Sequence, residues 1–160
     1  MRKRSVTALA AAALAVAAGV IFAPGALSAP PTIQRTPIDG TFFDNECGFP
    51  VQIDIVGTDL AIISGDTEFD AFPNSRATLT NLVTGRMLTV SIAGPGQTTV
   101  GADGSVTFSG NGPTLFWNSP RLFDVITLLN GRFVLTIDPQ GNLTFSTIGQ
   151  TQDLCAELAG

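Results

Sequence analysis

The sequence predicts an all-β protein: an antiparallel meander of about eight to ten strands, closed into a barrel in preference to a two-sheet sandwich. From Gly40 onward the chain is dense in Thr, Val, Ile, Leu and Phe. Glycine-based turns interrupt it about every ten residues, the spacing of short antiparallel strands. No segment beyond the N-terminus keeps a helical period for more than about two turns.

The strands follow in order. "GFPVQIDIVG" (48–57) alternates Val51, Ile53 and Ile55 with Gln52 and Asp54, which commits one face to a core. "DLAIISG" (59–65) is more continuously apolar, as in a strand covered on both faces or strongly curved. "ATLTNLVTGRMLTVSIAG" (77–94) reads as a hairpin turning at Thr84-Gly85, with Leu88, Val90 and Ile92 inward. A second hairpin, 98–112, turns at Asp103-Gly104, a pair that accommodates positive φ. "TLFWNSP" (114–120) is a short strand ending before a proline. In 121–149, Asn130-Gly131 and Gln140-Gly141-Asn142 punctuate three more strands; Phe133, Leu135, Ile137, Leu143 and Phe145 share a face. "TQDLCAELAG" (151–160) fits either a helical turn or a last strand. "DGSVTFSG" and "QGNLTFSTIG" resemble each other, as glycine turns before alternating strands often do.

The N-terminus precedes this domain with a different composition. Arg2, Lys3 and Arg4 form a basic start, Thr7–Phe22 is apolar, and small residues follow Pro24-Gly25. This is the pattern of a secretory signal over residues 1–28, cleaved near Ser28. A retained transmembrane anchor is the rival, but Ala-rich composition and the small-residue exit favour cleavage. Residues 29–39, with three prolines and no period, read as a flexible lead-in to a single domain over 40–160. The expected localisation is therefore extracellular, with no transmembrane segment in the mature chain.

Charge and composition exclude much. Three of the eight basic residues lie in the leader, leaving five arginines against thirteen carboxylates, a net charge of −8. Such a chain lacks the cationic groups that hold phosphates, so no nucleic-acid partner is expected. There is no histidine or tyrosine, and the only lysine is Lys3. His-based triads, imidazole metal ligation, Schiff bases and tyrosine acid catalysis are thus excluded. No cofactor and no metal site is expected.

Cys47 and Cys155 are the two cysteines, one near each end of the domain. In an exported chain such a pair reads as a disulfide, and neither thiol has a histidine to activate it. Asp66, Glu68 and Asp70 alternate at period two, as a solvated or charge-guarded strand does, calcium ligation being the alternative. Asp39, Asp44 and Glu46 form a second acidic group beside Cys47. Asp54 and Asp124 each sit in an apolar strand. They face water on a half-solvated sheet, or line a barrel lumen opposite Arg76, Arg86, Arg121 or Arg132. Trp117 is a rim or core tryptophan, or a ligand contact. Asp54, Trp117 and Asp124 are accordingly the candidate ligand-binding residues, and no residue is nominated as catalytic.

The leader, "CGFPV" at 47–51, the 77–94 hairpin and the closing "DLCAEL" together resemble a group of small exported actinobacterial proteins of uncharacterised function. The resemblance spans residues 40–158. By strand count and size alone, the meander is also similar to allene oxide cyclase and dirigent-type barrels and to lipocalin-like calyces, which would imply a lumen able to hold an apolar molecule. The expected function is an exported, non-enzymatic module binding an apolar small molecule or a cell-envelope partner. The alternatives are an envelope interaction protein with a filled core and, less favoured, a cyclase-like or dirigent-like enzyme.

Overall fold

A computed structural model describes residues 30–119 and 121–160; the expected secretory leader and cleavage site lie outside them. The described residues form nine strands and one short helix: β1 (Thr32–Asp44), β2 (Val51–Ser64), β3 (Thr67–Ala71), β4 (Arg76–Asn81), β5 (Met87–Ser91), β6 (Gly96–Val100), β7 (Val106–Phe116), β8 (Thr127–Ile137), β9 (Leu143–Asp153) and α1 (Leu154–Ala159). All pairings are antiparallel and join one sheet in the order β5-β4-β2-β3-β6-β7-β8-β9, with β1 on the other edge of β2. Among the described residues no helix is long and apolar enough to cross a membrane.

The all-β antiparallel reading holds, but the sheet is not closed. β1 pairs only with β2 and the order ends at β9, so the two do not meet. The reason lies in β2. One of its edges is covered along its whole length by β1, while the other is divided between β4 (opposite 51–56) and β3 (opposite 60–64). Gly57 marks the division: a side chain there would fall onto Ser75, whose Cα is 2.7 Å from where a Cβ would stand. The sheet therefore forks, and one branch is closed by packing instead of by strand pairing.

That packed branch holds the core. Val51, Ile53 and Ile55 of β2, Ala77 and Leu79 of β4 and Val90 of β5 meet Leu115, Ile126, Leu128 and the buried side of α1 (Leu154, Cys155, Leu158). Asp153 starts the helix, its carboxylate accepting from Ala156 N at 3.0 Å. The expected disulfide is present: Cys47 and Cys155, with Cα atoms 5.0 Å apart, tie the β1–β2 loop to α1 across 108 residues. Asn81 adds a polar tie. Buried, it donates from Nδ2 to Leu158 O and accepts at Oδ1 from Val83 N and Thr84 N.

The other branch, made of β3, β6 and most of β7–β9, is more open. Its apolar face gathers Phe116, Phe123, Phe133 and Phe145, with ring centroids 5.2 Å (Phe116–Phe123) and 5.3 Å (Phe116–Phe133) apart, tilted or edge-on. The two similar segments flank β8 in one register, Val106 and Leu143 opposite Ile137, Phe108 and Phe145 opposite Leu135.

Four expectations about elements need correcting. Residues 32–39 form the first part of β1, not a flexible lead-in; Pro37 is tolerated because β1 is an edge strand and need not donate outward. Asn130-Gly131 is no turn but lies mid-strand in β8. Gly112, Gly131 and Gly149 form a row across three strands, and a Cβ on Gly131 would come 2.6 Å from Gly149 Cα. The segments 48–57 and 59–65 both contribute to one strand, β2, and the short strand expected at 114–120 is the end of β7, which closes at Phe116. Both expected hairpins and the 138–142 turn stand, the last held by Asp138 accepting from Gln140 N and Asn142 N. A bond from the Asn142 side-chain amide, with those backbone bonds, keeps the Asp138 carboxyl below its ordinary range.

Candidate functional site

The open branch carries a shallow surface groove of about 290 Å³. Register builds it. Phe69 on β3 lies opposite Gln97 on β6, which lies opposite Ser109 on β7, so the three share one face. One step along that face Asn111 lies opposite Arg132. Pro95, Gly96 and Gly110 complete the lining. Gly110 lines the groove with backbone alone: a Cβ there would project to the other face, 2.8 Å from Cζ of Phe133, the residue opposite.

The groove's chemistry is mixed. Phe69 is 50% exposed and offers an apolar surface. Gln97, Ser109 and Asn111 offer donors and acceptors, and exposed Arg132 supplies a cation. No carboxylate lines the groove, although the chain is strongly acidic. It can therefore hold an anionic or hydroxyl-bearing group beside an apolar one, and it contains no acid–base pair.

The carboxylates lie elsewhere. Asp66 is in the β2–β3 turn and off the strand, while Glu68 and Asp70 sit on β3. Ala61 is opposite Asp70, which places Asp59, Glu68 and Asp70 together on the face opposite the groove. Burial, then the charges of Glu68 and Asp59, push Asp70 up to about 6. Burial alone raises Asp59, whose Oδ1 is enclosed without a hydrogen-bond partner among the described residues. Among the described residues no group of three His, Cys, Asp or Glu side chains is placed to hold a metal. In the second acidic group, Asp39 is exposed. Asp44 is buried and accepts from Glu46 N at 2.6 Å, and Glu46 accepts from Asn118 N at 3.0 Å, tying the Cys47 loop to the end of β7. Burial and the nearby Asp44 raise Glu46 despite that bond.

The three residues nominated from sequence do not converge. Asp54 is on β2 opposite Thr41 and Thr78, on the face turned from the core, and accepts from Thr41 Oγ1 at 2.7 Å and Gln52 Nε2 at 2.9 Å. Threonine and glutamine satisfy it, not an arginine. Trp117 follows β7 and packs against the core and Phe42, with centroids 5.6 Å apart. Phe42 and Thr41 alternate along β1, so Trp117 and Asp54 are on opposite faces. Asp124 is exposed in the β7–β8 connection and not in a strand.

Of the groove residues, only Arg132 was singled out from sequence, as a partner for an aspartate. Phe69 is hidden in "GDTEFDAF" among acids whose alternation was the stronger signal, and only the β3–β6–β7–β8 register brings it near Gln97 and Asn111. No family model, no curated protein and no solved structure matches the chain.

Proposed function

We propose that this is an exported, non-enzymatic interaction module that binds a cell-envelope partner through the open branch of its sheet, at the Phe69–Arg132 groove. One observation carries the reading. The apolar residues that would line a lumen are divided between a filled core (Val51, Ile53, Val90) and an aromatic cluster (Phe133, Phe145), while the groove lies on a sheet face turned to solvent. A partner seated there would set an apolar segment on Phe69 and a carboxylate or hydroxyl group on Arg132, Gln97 and Asn111. The disulfide supports an oxidising compartment, and with it export of the chain.

Binding of the purified protein to isolated cell envelopes tests this. Wild type should cosediment, and Phe69→Ala with Arg132→Ala should lower the bound fraction about tenfold, two lost contacts of roughly 0.7 kcal/mol each. A tightly bound apolar molecule in organic extracts of the purified protein, at one per chain, would sink the surface reading and restore the enclosed-ligand one.

A further inference from the structure

We infer that the free edge of β9 pairs with β9 of a second copy of this chain, forming a two-fold antiparallel junction centred on Ile148. The three outer edges of the sheet differ. β5 has only five residues. β1 is long but carries Arg35, Pro37 and Asp39, the charges and proline that keep an edge from pairing. β9 is eleven residues long, with no charge and no proline from Leu143 to Gln152, and it ends the strand order. At mid-strand stands Ile148, 81% exposed.

The occupant follows from charge and self-complementarity. Two copies of an acidic chain repel over most approaches, and β9 is the long edge at which no charge meets a charge. With Ile148 opposite its copy, Ser146 falls opposite Gln150 and Thr144 opposite Gln152 on the same face. On the other face Thr147 meets Gly149 and Phe145 meets Thr151. The strongly exposed Ile148 of β9 thus covers itself, flanked by polar pairs, in the isologous arrangement a two-fold requires. Arg132, opposite Ile148 on β8, remains at the rim, so each copy keeps its groove.

Sedimentation velocity on protein expressed from the full chain, over about 1 to 100 µM, should show the mass doubling with concentration, as a modest interface does. Ile148→Lys should weaken the dimer at least about tenfold, and Ser146→Lys should act in the same direction. Val83→Lys, at an exposed apolar site on the β4–β5 hairpin, should leave dimerisation unchanged. Amide exchange along β9 should slow as the dimer forms. A chain that stays monomeric throughout overturns the inference, and so does a dimer that neither β9 lysine weakens. A monomer that instead captures an uncharged extended peptide on β9 assigns the edge to another occupant and also overturns it. The groove reading is tested separately, since Phe69→Ala should leave the dimer intact.

Discussion

Residues 51–56 and 60–64 belong to one strand, yet they lead different lives. The first stretch sends Val51, Ile53 and Ile55 into the core, whereas in the second Leu60, Ile62 and Ile63 remain partly exposed. Both are apolar and both are flanked by β1. What differs is what stands opposite. Over 51–56 the neighbour is β4, and the face beneath is covered by α1 and the β7–β8 ends; over 60–64 the neighbour is the short, acidic β3. The stability of a strand segment here is set by the layer packed on it and less by its own sequence.

The disulfide should separate the branches most sharply. Closing a loop of 108 residues is worth about 4 to 5 kcal/mol on the chain-entropy account, and the bond lies wholly in the packed branch. Replacing Cys47 and Cys155 with serine should cost about 3 to 5 kcal/mol in urea unfolding. Amide protection should fall first in β4, β5 and α1. Equal loss of protection in β6 and β7 would show that the two branches unfold as one unit and would erase the distinction.

Single side chains come next. Leu79 is fully buried, and Leu79→Ala should cost about 3 kcal/mol, while Phe69→Ala on the open branch should stay within about 0.5. Asn81→Ala leaves Leu158 O and two turn amides without their partner and should cost about 2 kcal/mol, read as a lowered melting temperature.

The packed branch was largely legible in the sequence because its signals are local. The alternation at 51–55 and the Thr84-Gly85 hairpin point to their structures without knowledge of distant neighbours, and two cysteines allow only one pairing however far apart they stand. The open branch was not, and for a physical reason in each case. A glycine allows either a turn or the close approach of strands, and nothing near Asn130-Gly131 tells which; the answer lies with Gly112 and Gly149 on other strands. Pro37 opposes a central strand but not an edge strand, and edges are decided by the whole sheet. Barrel closure and the groove both depend on which strands end beside which, and a period of two carries no record of that. Asp124 misled because apolar residues around it pack in a connection as readily as in a strand.

A pH-dependent effect, smaller than either the Leu79 or the Asn81 loss, lies at the boundary between the branches, on the face opposite the groove. Asp70 is half-buried beside Glu68 and Asp59, and its carboxyl titrates at about 6 in the folded chain instead of 3.8. Between those values the folded state binds more protons at Asp70 than the unfolded one, so the stability this group contributes is fully present below about pH 4 and is lost as pH rises through 6. A two-unit shift would be worth about 3 kcal/mol in full, but solvent screening of a half-exposed group reduces this to about 1. Asp70→Asn should therefore flatten the pH dependence between 4 and 6 and raise stability at pH 8 by about 1 kcal/mol, measured by urea unfolding at each pH. A variant no more stable than wild type at pH 8 would mean that the three carboxylates are relieved by solvent. The acidic face would then be as open as the groove behind it.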